Sequence, residues 1–152
     1  MSSFAKDFVT RGRFLGALMA ALAAVFPGRA RGAEPTDREK ANLRLVTQFC
    51  ESFASRDMTR ITSFMAENCV YRITETAPSL TGAAAVERIR EYVQRAEKVE
   101  FKILEGWVKG SIVVNERIDT FVSPQNNRAF HLTGVFFVKD GKIAEWTDYG
   151  IR

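Results

Sequence analysis

A chain of 152 residues, 46% hydrophobic and 26% charged, has the size and composition of one globular domain, which excludes disordered and collagen-like readings. Its 22 basic residues outnumber its 18 acidic ones. Ahead of Ala33, however, stand Lys6, Arg11, Arg13, Arg29 and Arg31 against Asp7 alone, which leaves 17 basic and 17 acidic residues in the rest. A balanced body without a basic run has no surface for displacing counterions, so no nucleic-acid partner is expected.

Residues 1–33 have the three parts of a bacterial signal peptide: a basic start at Arg11 and Arg13, an apolar run from Phe14 to Phe26, and a small-residue exit. The run is shorter than the about 20 residues that cross a bilayer, so no stable membrane span is expected. Cleavage after Gly32 or Ala30 meets the small-residue rule, and Gly32 is preferred. Arg11 and Arg13 resemble a twin-arginine signal interrupted by Gly12. An exported protein, periplasmic or secreted, is the expectation; the alternative is an uncleaved amphipathic helix at a membrane surface. Export would permit a disulfide between Cys50 and Cys69, whereas a reducing compartment would leave two buried thiols. With His131 as the one histidine, no zinc-like ligand set forms, and no metal is expected.

Thr36-Asp37-Arg38-Glu39 has capping-box spacing and predicts a helix start. Asn42, Leu45, Val46, Phe49 and Phe53 then line one face through about Ser55. Asp57 caps a shorter helix carrying Ile61, Phe64 and Met65. A strand is predicted at Cys69–Ile73, then a loop around Pro78, then a helix from about Ala83 with Val86, Ile89, Val93 and Ala96 on one side. From Val99 the period changes to two, giving strands through Val99–Ile103, Ser111–Val122 and Phe130–Val138. Asp140-Gly141 is a hairpin signal leading into a last strand from Lys142 to Tyr149. Three helices followed by a meander make an α+β fold, with a curved sheet wrapped round the first helix to leave a cone open at one end.

Strand parity puts Arg117, Asp119 and Phe121 on one face, and Trp146 with Asp148 on one face of the last strand. Two carboxylates inside a cone persist only with a cation or a shared proton to offset their desolvation, and Arg117 is the available cation. The bland alternative leaves Asp148 in solvent and pairs Arg117 with Glu116 or Asp119 at a strand end. His131, of opposite parity to Leu132, is read as a surface or satisfied histidine.

Arg117-Ile118-Asp119, Gly134-Val135-Phe136 and Gly141-Lys142-Ile143-Ala144-Glu145-Trp146-Thr147-Asp148-Tyr149 resemble, in order and spacing, motifs of the limonene-1,2-epoxide hydrolases. That likeness, from about Asn42 to Tyr149, implies a nuclear transport factor 2-like cone with three N-terminal helices packed in a curved mixed or antiparallel sheet over residues 34–152. It implies Asp119 as general acid, Asp148 as general base, Arg117 as their bridge and Tyr71 as a water holder, with no cofactor. Where the family has an asparagine two residues beyond the tyrosine, Ile73 stands here; Thr74 is the candidate replacement if the loop shifts register. By parity and likeness Phe121, Phe130, Leu132 and Trp146 line a pocket for a small apolar molecule. The resemblance also implies a homodimer through the outer sheet face, where Val135 and Phe137 project. The family continues into a tail over the pocket, whereas this sequence stops three residues after Tyr149, so a more open site is expected. Other activities on this fold, polyketide cyclase or ketosteroid isomerase-like proton transfer and non-catalytic ligand binding, remain the alternatives.

Overall fold

A computed structural model describes residues 34–151. The expected leader, with its cleavage site and export signal, lies outside the described residues, and so does Arg152. Helix α1 spans Asp37–Ser52 and starts on the capping box read from sequence: Thr36 Oγ1 accepts from the Glu39 amide at 3.2 Å, and the Thr36 amide donates to Glu39 Oε2 at 2.7 Å. The other Glu39 oxygen accepts from the Gly110 amide at 2.7 Å, and these bonds hold its carboxyl well below the usual glutamate range. The start of α1 is thereby tied to a distant turn, with Asn42 Nδ2 donating to the Gly110 carbonyl beside it.

After a short 3-10 turn at Phe53–Ser55, Asp57 caps α2, Met58–Thr62, as expected. Here the predicted boundary shifts. Phe64 lies in the turn after the helix, and Met65 belongs to strand β1, Met65–Arg72. The sheet claims it: Met65 is in register with Ile143, whose amide donates to the Phe64 carbonyl. Ile73 falls just beyond the strand. A two-residue strand β2, Leu80–Thr81, precedes α3, Ala83–Arg95, whose Ala85, Ile89 and Val93 are buried. Four long strands follow: β3 Lys98–Lys109, β4 Ile112–Val122, β5 Asn127–Lys139 and β6 Lys142–Gly150. Asp140 and Gly141 both have positive φ (50° and 70°), the conformation a type I′ hairpin needs.

The sheet order is β2-β1-β6-β5-β4-β3. All pairings are antiparallel except β1 with β6, which run parallel, so the sheet is mixed. Helix α1 packs on the concave face, where Phe49 and Phe53 meet Trp146 edge-on at 5.2 and 6.0 Å between centroids. Phe136 stacks on Trp146, and Phe101 on Phe53. Alternation is strict along β4: Val113, Asn115, Arg117 and Asp119 are buried while the residues between them are not. On the outer face Ile112 pairs Phe137, and Val114 lies between Trp107 and Val135; Trp107, Ile112 and Phe137 are large exposed apolar side chains. Among the described residues no helix is long and apolar enough to cross a membrane.

Candidate active site

The two carboxylates and the arginine meet beneath the concave face. Arg117 is fully buried; Nε donates to Asp119 Oδ1 at 2.8 Å, and Nη2 to Asp119 Oδ2 at 3.1 Å and to Asp148 Oδ1 at 2.6 Å. Asp148 Oδ1 also accepts from Trp146 Nε1 at 2.7 Å. Both donors fall on one oxygen, so Oδ2 keeps its lone pairs. The solvated strand-end arrangement is not what the structure contains: Asp148 is buried, and Glu116 pairs with His131 on the outside at 2.7 Å instead of with Arg117.

Arg117 stands on β4 and Asp148 on β6, so the guanidinium must cross over β5 to reach its second carboxylate. The crossing point is Gly134, in register with Asn115 on one side and Asp148 on the other. A Cβ there would lie 2.0 Å from Arg117 Nη1, 2.7 Å from Phe136 and 2.9 Å from Asn115 Oδ1. The remaining guanidinium nitrogen, Nη1, donates to Asn115 Oδ1 at 3.0 Å, and Asn115 Nδ2 donates to Cys50 Sγ on α1 at 3.4 Å. Phe101, Trp146 and Phe136 surround Cζ with ring centroids at 5.2, 5.6 and 5.8 Å. Desolvation opposes the charge, but Asp148 and Asp119 outweigh it and raise the Arg117 pKa. The arginine is a fixed cation.

One guanidinium against two carboxylates leaves a surplus negative charge in a nearly dry place. Burial raises both carboxyls against the pull of Arg117, Asp119 to about 7, with Asp148 adding to its rise. A single proton shared by the pair removes the surplus. The Cys50 thiol, buried beside them, is pushed up to about 12 by desolvation and stays neutral; Cys69, likewise free and buried, is raised to about 12.

Above the carboxylates opens a cavity of about 560 Å³. Its lining includes Tyr71, Ile73, Thr74, Phe121, Phe130, Leu132 and Trp146 as well as Asp119 and Asp148. Tyr71, on β1, packs against Trp146 at 4.3 Å between centroids. Burial and the charge of Asp148 raise its phenol, so it stays a neutral donor. Thr74 lines the wall, but its hydroxyl serves its own loop, accepting from the Ala77 amide at 3.2 Å and meeting Thr76 Oγ1 at 3.4 Å. It does not substitute for an asparagine amide. Sequence reading missed Tyr92 of α3: its hydroxyl is buried without a hydrogen-bond partner and faces that of Tyr71, each perturbing the other from outside bonding geometry. Asn115, Cys50 and the steric role of Gly134 were missed too. For Gly134 a signal existed, since glycine inside a strand marks a close approach.

A profile of the limonene-1,2-epoxide hydrolase catalytic domain matches residues 40–150. The chain belongs to that family. Among solved structures, an LEH-like epoxide hydrolase of M. tuberculosis superposes with a TM-score of 0.64 at 24% identity, over 75% of this chain and 85% of that one. A protein assigned as a SnoaL-like polyketide cyclase from Jannaschia sp. gives 0.67 at 14% identity, covering 77% and 90%. One assigned as a ketosteroid isomerase from Kribbella flavida gives 0.62 at 15%, covering 75% and 80%. At these identities the likenesses show a common fold, the nuclear transport factor 2-like cone, and the family assignment rests on the profile.

Two expected outcomes follow for this family member. Gly134→Ala should destabilise by about 1–3 kcal/mol, the cost of overpacking a core, whereas Gly150→Ala, with open space around it, should be near neutral; urea unfolding compares them. The second concerns pH. A carboxyl whose folded pKa is raised binds its proton more tightly folded than unfolded, so its stability is full below the unfolded value and declines as pH climbs to the folded one. Stability should therefore fall between about pH 4 and the about 7 of Asp119, and Asp119→Asn should flatten that decline in thermal melts. An Asp119→Asn protein with an unchanged slope would refute the shared proton.

Proposed function

We propose that this family member adds water to a small apolar epoxide in one step and without a cofactor. The carrying observation is the single buried guanidinium that joins Asp119 and Asp148 on the floor of an apolar cavity. An epoxide carbon is strained, but its oxygen leaves poorly unless protonated as the water attacks. Asp119, the carboxyl held protonated to about pH 7, gives its proton to the ring oxygen. Asp148, with Oδ2 unoccupied by protein donors, takes one from the water. The new carbon–oxygen bond comes from water, the ring bond's electrons stay on the protonated oxygen, and no ester with the protein forms. Tyr71 holds the water with Asp148.

A second reading has one observation in its favour. Ile73 on the cavity wall offers no hydrogen bond where the family has an amide, which suits proton transfer at carbon, as in a polyketide cyclase or ketosteroid isomerase, or ligand binding alone. That chemistry needs one acid–base carboxylate and would tolerate loss of the other.

The deciding experiment is a panel of apolar epoxides in oxygen-labelled water, with diols detected by mass spectrometry. We expect diol carrying one label, none of it passing through the protein in a single turnover. Asp148→Asn and Asp119→Asn should each lower kcat by about 10²–10⁴-fold. A turnover-competent Asp148→Asn protein would sink the mechanism.

The proposal includes a homodimer through the outer sheet face. The Trp107, Ile112 and Phe137 stripe is an apolar patch that pairing would cover. Light scattering at micromolar concentration should give twice the monomer mass, and Ile112→Lys with Phe137→Lys should halve it; a wild-type monomer would refute the pairing.

A further inference from the structure

The cavity is polarised along its depth. Its floor carries two carboxylates and one guanidinium, its wall is aromatic and aliphatic, and its rim carries Arg88, Glu91, Arg95 and Arg128. Glu91 is occupied by Arg88 at 2.9 Å. Arg95 and Arg128 form no ion pair among the described residues. Arg95, in the last turn of α3, also complements the helix dipole. Arg128 has no such reason. It stands on β5 at the inward parity of Phe130 and Leu132, directly opposite Phe121 on β4, where an apolar side chain would extend the wall. Its aliphatic stem can continue that wall and carry the guanidinium to water at the edge. Two cations with no ion pair among the described residues, at the mouth of one pocket, make a local positive field.

We propose that the natural substrate is amphiphilic, an apolar chain bearing the epoxide and ending in a carboxylate that Arg95 and Arg128 hold at the rim. This rests on the epoxide hydrolase reading for the reaction, but not for the binding. The aromatic and aliphatic wall disfavours a desolvated anion and the rim attracts one, so the substrate enters in one orientation, with its uncharged reactive part towards Asp119 and Asp148. A guanidinium pairs a carboxylate through two parallel hydrogen bonds, which gives the anchor direction as well as strength.

Binding and turnover separate the two claims. Calorimetry of the wild-type protein with oleate and methyl oleate, which contain no epoxide, should show the acid binding about 10- to 100-fold tighter, the scale of charge-assisted bonds. The advantage should shrink with added salt and vanish in Arg95→Gln/Arg128→Gln. Arg128→Gln alone, at an exposed strand position, should remove part of it and serves if the double variant folds poorly. In turnover, the epoxide of oleic acid should exceed its methyl ester in kcat/KM, and the double variant should bring the acid down to the ester. Equal binding of acid and ester, or a preference that survives both substitutions, would overturn the anionic anchor. Preferential oleate binding with no diol from either epoxide would leave the anchor standing and remove the hydrolase reading instead.

Discussion

Everything in this cone is arranged around one desolvated guanidinium. Arg117 lies out of water, where an uncompensated charge is not tolerated, and removing one partner of such a set typically costs about 3–5 kcal/mol. Each neighbour answers that constraint. Asp119 takes two of its nitrogens in a fork, Asp148 shares one of these, Asn115 satisfies the third, and three aromatic rings close around its carbon. Gly134 has no side chain because the guanidinium needs that space. The chain from Asn115 to Cys50 extends the network into α1, so the central helix and the sheet share one polar core.

The constraint also explains why the two aspartates occupy different strands. Asp119 is two residues from Arg117 on the same face of β4, a contact any strand can make. Asp148 is brought in only because β6 lies on the other side of β5, in register through Gly134. That register is set at the hairpin, where Asp140 and Gly141 supply positive φ, and by the shift between Phe137 and Val138 that brings Trp146 opposite Phe136. A one-residue slip would turn Asp148 and Trp146 to the outer face. The parallel pairing of β1 with β6 then sets Tyr71 beside Trp146 and completes the floor.

Much of this was legible in the sequence, and the reason is period. The capping box at Thr36, the cap at Asp57 and the Asp140-Gly141 turn are local chemistry and need no tertiary information. Strand parity and the rule that buried acids need a partner made the convergence of Arg117, Asp119 and Asp148 one of two readings, and the family resemblance favoured it over a solvated strand end. What escaped depends on which strands become neighbours. Met65 reads as helical because Ile61 and Phe64 precede it at helical spacing, yet its backbone is used by β6. Asn115 and Cys50 look like ordinary strand and helix residues until α1 is laid across β4. Tyr92 appears on a helix whose apolar face is defined by Ile89 and Val93, and only the fold turns its hydroxyl towards Tyr71.

The same geometry sets how a catalytic cycle of this kind must close. In the proposed reaction one proton would leave Asp119 for the ring oxygen and one would reach Asp148 from the water, so the pair would end with its total unchanged but its assignment reversed. Arg117 cannot relay the proton, because its neighbours raise an already high pKa and it stays charged throughout. What it does is hold both carboxyls on Nη2, so that the proton has a short path between them and the charge around the guanidinium is the same before and after. Water in the open cavity supplies the other route. Either path returns the pair to its starting state without any further group, since the two carboxyls differ in environment: Asp148 carries two donors on one oxygen, including Trp146, which favours its ionised form, while Asp119 shares its bonds with Arg117 alone. The asymmetry that would make Asp148 the base in the proposed reaction comes from the Trp146 indole N–H, a hydrogen bond that Asp119 lacks.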